Sequence, residues 1–121
     1  MRELSKSPSD SDYVNIEVAL NELLSVARGS GTADQSNVSD LDTAQTLIAA
    51  NQSRRGLVIF NDSSVILYVS LDGTATTSNF AYKVNPSATL ELYGEKNFRG
   101  AISGIWASNG SGAARITEFT E

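Results

Sequence analysis

The 121-residue chain has no cysteine and no histidine, and only two prolines, one methionine and one tryptophan. Without cysteine there is neither a disulfide framework nor a thiolate metal site to compensate for a small core. Without histidine the commonest general base is missing, and with both types absent nearly all zinc geometries are excluded. No apolar run approaches the roughly 20 residues that span a bilayer, and the N-terminus carries no signal-peptide core. The chain therefore reads as soluble, made in the cytoplasm and without a membrane partner. Basic residues are also few. Nine Lys or Arg stand against fourteen Asp or Glu, a formal charge of -5, and this balance disfavours the phosphate backbone of nucleic acid as a main partner.

What remains for catalysis is carboxylate, Lys, Tyr and Ser. Glu91, Glu95, Glu118 and Glu121 flank strand-like segments without forming a recognisable motif, and solvated strand faces account for them. The Asp10/Asp12 and Asp40/Asp42 pairs lack the further ligands and the glycine spacing of a calcium loop. The loops Gly29-Ser30-Gly31 and Gly110-Ser111-Gly112 lack the Lys and the helix of a phosphate cradle. The expectation is a non-enzymatic protein with no cofactor and no metal.

Three compositional zones follow one another. Met1 to Asp12 is rich in Ser and Asp around Pro8 and cannot bury enough surface to offset the entropy of ordering. Val14 to Arg28 places Ile16, Leu20, Leu23, Leu24 and Ala27 at helical spacing on one face, with Ser11 or Asp12 as cap and Gly29 just past the end. The alternation of Val14, Ile16, Val18 and Leu20 also fits a strand; the spacing from Ala19 to Ala27 favours the helix. This apolar face can pack on its own domain or dock on a partner. Gly29 to Asp42, with Gly, Ser, Asn and Asp at most positions, reads as a flexible tether. The division expected is thus an arm, short amphipathic segment and tether over 1–42 and a β-domain over 43–121.

From Thr43 onward turn formers recur regularly. Strands are expected at Ala44 to Ala49, Gly56 to Asn61, Val65 to Leu71, Ala81 to Asn85, Thr89 to Tyr93, Ala101 to Ala107 and Ala114 to Phe119. Leu57 to Phe60 and Val65 to Val69, joined by Asn61-Asp62-Ser63-Ser64, read as a hairpin. Short strands at this spacing imply an all-β fold, a small antiparallel β-sandwich or jelly-roll-like domain. Alternation selects Leu57, Ile59, Ile66, Tyr68, Val84, Leu90, Leu92, Ile102, Trp106 and Ile116 as core. Val65 to Leu71 is apolar at almost every position, which leaves its parity ambiguous; burial on both faces, one of them against a neighbouring subunit, would produce that pattern. Arg54 and Arg55 are expected to pair with carboxylates of the same or an adjoining subunit, because a planar guanidinium matches a carboxylate bidentately. Trp106 is an anchor for the core or for a subunit contact. About 75 residues is near the lower limit for a self-sufficient domain, which points to oligomerisation.

Four stretches carry a family resemblance: LIAANQSRRGLVIFNDSS over 47–64, LYVSLDG over 67–73, GAISGIWA over 100–107 and ARITEF over 114–119. Together they resemble small β-sandwich structural proteins of tailed bacteriophage virions. The likeness lies in strand and corner residues and includes no catalytic or ligand motif. It implies a virion location and a capsid decoration or cement protein, a homotrimer that binds the major capsid protein or another virion protein. Partner attachment is then expected at Val14, Ile16, Leu20, Leu23 and Leu24, and the subunit interface at Arg54, Arg55, Tyr68 and Trp106. The alternatives are a neck, tail or fibre-attachment protein, or a carbohydrate-binding adhesion module if Tyr82, Phe98 or Trp106 share an exposed face.

Overall fold

The computed structural model describes residues 31–121. Eight strands alternate with turns: β1 Thr32–Ser39, β2 Gln45–Ile48, β3 Arg54–Asp62, β4 Leu67–Leu71, β5 Tyr82–Val84, β6 Thr89–Tyr93, β7 Ile102–Trp106 and β8 Ala113–Thr120. They form two four-stranded sheets, β1-β8-β3-β6 and β2-β7-β4-β5, and every pairing is antiparallel. The all-β fold expected from turn spacing is what the described residues adopt. The seven strands expected from Ala44 onward are all present, within a few residues at each end.

Alternation along the strands builds one core between the sheets. Leu57, Ile59, Leu92, Ala114 and Ile116 from the first sheet meet Leu47, Leu67, Val69, Val84, Ile102 and Trp106 from the second. Within the second sheet, Gly104 on β7 makes room for Leu47 of the neighbouring β2: a Cβ there would lie 2.7 Å from Leu47 Cδ1.

Four expectations are corrected. Gly29 to Asp42 is not a flexible tether throughout. From Thr32 to Ser39 it is a strand, paired with β8 over eight residues from Thr32↔Thr120 to Ser39↔Ala113. The β-domain therefore begins at Thr32, not at Thr43. No apolar alternation signals β1, because seven of its eight residues are exposed and its main-chain pairing, not side-chain burial, holds it. Its polar sequence suits a sheet edge, where apolar residues would invite pairing with other chains.

Secondly, β3 and β4 are not a hairpin. β3 pairs with β6 and β8 while β4 pairs with β5 and β7, so Asn61 to Ser64 is a corner that carries the chain from one sheet to the other. Thirdly, the ambiguous parity of β4 resolves against the core positions selected, Ile66 and Tyr68. Leu67 and Val69 are fully buried, and Ile66 and Tyr68 are only partly so; Leu90 is likewise half-buried at the margin of the core. The fourth correction concerns the placement of Arg54 and Trp106 at a subunit contact; Trp106 is core and Arg54 pairs with a carboxylate of its own chain, the other options the sequence offered.

Candidate interaction surface and the polar nodes beneath it

Arg54 is completely buried at the start of β3. The register against β8 shifts between Arg54 and Gly56, and such a bulge lets two successive side chains take different surroundings. The Arg54 guanidinium donates from Nε to Glu118 Oε2 at 2.8 Å. From Nη1 it donates to the carbonyls of Phe98 and Gly100 at 2.5 and 3.0 Å, and from Nη2 to that of Ala49 at 2.5 Å. Asn97 Nδ2 in turn donates to the Arg54 carbonyl at 2.7 Å. One side chain thus holds the β2–β3 loop, the segment before β7 and strand β8 together. An ion pair this deep needs such saturation, because the desolvation of two charges otherwise exceeds their attraction. Arg54 is therefore an internal node and not a subunit contact. Arg55 pairs with Glu121 of the same chain.

A neutral counterpart sits at the far end of β3. Asn61, fully buried, donates from Nδ2 to the carbonyls of Val65 and Val84 at 2.8 and 2.9 Å. Its Oδ1 accepts from Ser63 Oγ at 2.8 Å and from Trp106 Nε1 at 3.2 Å. The primary amide has two donors and two acceptor sites, and all four are used. This closes the corner between the sheets and gives Trp106 an internal partner; with no exposed surface, Trp106 is core and not interface. By contrast, Asp40 is 1% exposed and neither of its carboxylate oxygens has a hydrogen-bond partner.

The outward faces of both sheets carry apolar side chains among polar ones. On the β2-β7-β4-β5 sheet, Tyr68 of β4 lies beside Ile105 of β7 and Lys83 of β5, and its ring stacks at 4.7 Å, tilted by 56°, on exposed Phe80. On the other sheet, Ala33, Phe119, Gly56 and Tyr93 form one row across four strands, and Gln35, Thr117, Val58 and Glu91 form another. Tyr93 and Phe119 approach to 6.0 Å across Gly56; a Cβ at Gly56 would stand 2.4 Å from Tyr93 Cδ1. Burial, and secondarily the carboxylate of Glu91, push the Tyr93 hydroxyl above its ordinary pKa.

Of the residues expected at a subunit interface, the structure leaves Tyr68 on an outward face. Val14, Ile16, Leu20, Leu23 and Leu24 lie outside the described residues. Tyr82 and Phe98 pack against the core and Trp106 is within it, so these three do not share an exposed face. A cleft of about 230 Å³ between Gln45, Thr46, Asp72, Gly73, Thr74 and Ser103 carries one carboxylate. Its serine is engaged, Ser103 Oγ donating to Gly73 O at 2.5 Å and accepting from Ala75 N at 2.9 Å. Among the described residues no three acidic, His or Cys side chains converge as metal ligands, and no helix is long and apolar enough to cross a membrane.

Sequence reasoning missed the partners of Arg54 and the role of Asn61. The signal was parity: Glu118 falls in step with Ala114 and Ile116, and Asn61 with Leu57 and Ile59, so each is a polar residue on an inward face. Compared with protein-family models, curated proteins and solved structures, the chain matches none.

Proposed function

We propose that the chain is a non-enzymatic structural protein of a tailed-phage virion, a decoration or cement protein that stabilises the assembled shell. The observation that carries this reading is the outward face around Tyr68, Phe80 and Ile105. Apolar side chains are presented there by a sandwich whose interior already satisfies most of its own polar groups. Contact surfaces of this kind, with aromatics at their centre, serve protein association. The strand orders β1-β8-β3-β6 and β2-β7-β4-β5 also fit a jelly roll, an architecture used by viral capsid and lectin domains. Fold alone does not assign function; the family resemblance of 47–64, 67–73, 100–107 and 114–119 supplies the virion context.

In this reading copies associate, as a homotrimer, through the Tyr68–Phe80–Ile105 face. The Met1–Asp12 arm reaches the major capsid protein or another virion protein. A protein that binds only the assembled shell stabilises it by mass action, and repeated copies add avidity. The test is copy number in purified particles. On the order of hundreds of copies supports decoration, whereas about six to twelve, as set by ring symmetry, would replace it with a neck or tail role.

A further inference from the structure

We propose that the outward face of the β1-β8-β3-β6 sheet is covered by the chain's own segment 14–28, whose apolar residues Ile16, Leu20, Leu23 and Leu24 seat on Val58, Phe60, Tyr93 and Phe119. This does not depend on the phage reading. It follows from where the described chain begins and from what lies beside that point.

Gly31 is fixed to the sheet by its own N–H, which donates to the Thr120 carbonyl at 2.9 Å, and β1 starts at the next residue. Only Gly29, Ser30 and Gly31 therefore separate Arg28 from an anchored strand, a reach of about 10 Å even when fully extended. A fourteen-residue tether would let segment 14–28 sit far from the domain. A three-residue link does not. It delivers the segment to the edge of this one sheet, at the row Ala33–Phe119–Gly56–Tyr93.

The face at that point matches what arrives. Tyr93 is 45% exposed, and Val58, Phe60 and Phe119 are half-buried on the side of the sheet away from the core. A helix of fifteen residues is about 22 Å long. The four strands lie about 4.8 Å apart, and β1, β8 and β3 have eight or nine residues while β6 has five. This offers a surface of about 15 by 27 Å narrowing at β6, so one such segment fits along β1, β8 and β3. Helical spacing puts Ile16, Leu20, Leu23 and Leu24 on one side, the side such a surface would bury. The opposite face of the sandwich, around Tyr68 and Ile105, lies on the other sheet, about 10 Å further away across the core, so the link delivers the segment first to the β1 side.

The absence of native cysteine makes the test direct. In the full chain, Leu23→Cys is combined in turn with Val58→Cys, with Phe119→Cys and, as the opposite-face control, with Ile105→Cys. Each is oxidised and resolved by non-reducing electrophoresis and mass spectrometry. The expected result is a same-chain disulfide with Val58→Cys or Phe119→Cys, at least tenfold more abundant than with Ile105→Cys. Covalent dimers in place of same-chain bonds would show that a second copy takes the face and overturn the proposal, as would equal yields for all three or no bond in any. A second measurement avoids cysteine altogether. Leu20→Asp/Leu23→Asp in the full chain should lower the melting temperature and raise the binding of an apolar dye. Unchanged melting with unchanged dye binding would overturn it.

Discussion

The two ends of β3 meet the same requirement with different chemistry. At Arg54 a full charge is buried and needs Glu118 together with three carbonyls from two further segments. At Asn61 a neutral amide is buried and uses all four of its hydrogen-bonding positions on the corner, on Val84 and on Trp106. The charged node ties distant loops to the sheets because a guanidinium presents five donors in a rigid fork. The neutral node closes one local turn and orients one core ring. The difference teaches that this small, cysteine-free sandwich is pinned at both poles by polar groups, and its apolar residues are not all needed inside.

Breaking the comparison at its charged end should have the largest effect. Arg54→Met keeps much of the volume but leaves Glu118 buried without its cation and three carbonyls without a donor. A loss of about 3–5 kcal/mol is expected, a large share of the roughly 5–15 kcal/mol that stabilises a typical domain. Chemical denaturation of the purified variant measures it; a loss below about 1 kcal/mol would mean that the node is not structural. Asn61→Ala comes next. It removes a donor from the Val65 and Val84 carbonyls, the first still within reach of Ser63 Oγ, leaves the Trp106 indole N–H without its acceptor, and should lower stability by about 2–4 kcal/mol. Trp106 emission should shift as its ring loses a fixed partner. An unaltered spectrum with unaltered stability would detach the corner from the core.

The smallest change sharpens the contrast. Glu118→Gln removes the charge but keeps an oxygen that can accept from Arg54 Nε, and the three carbonyl bonds remain. The expected loss is about 1–2 kcal/mol. If denaturation instead shows a loss equal to that of Arg54→Met, the ion pair and not the carbonyl cradle is what fixes the node.

Where a residue's role is set by its strand neighbours, the sequence was readable. Leu57, Ile59, Leu92, Ile102 and Ile116 announce themselves by alternation, and the Gly, Asn and Pro punctuation locates the turns. Roles set by distant segments were not readable. Three of the four acceptors around Arg54 are backbone carbonyls that carry no side-chain signature. β1 escaped because its polar residues bury nothing and its hydrogen bonds are made by the main chain. Asn61 looked like a turn former, which it is; that the turn passes between sheets depends on Val84 and Trp106, far along the chain. Val65 to Leu71, apolar on both sides, could not disclose which face was inward, since one faces the core and the other carries the Tyr68–Phe80 pair.

An interior pinned at both poles leaves the outward aromatic face free for association, and this is the central claim. Sedimentation velocity of the full chain, beside Tyr68→Ser/Phe80→Ser, tests it most directly. The account predicts a trimer at high micromolar concentration for the parent chain, and a monomer with nearly unchanged melting for the variant. A parent chain that stays strictly monomeric at that concentration, or a variant that associates as well as the parent, would contradict it.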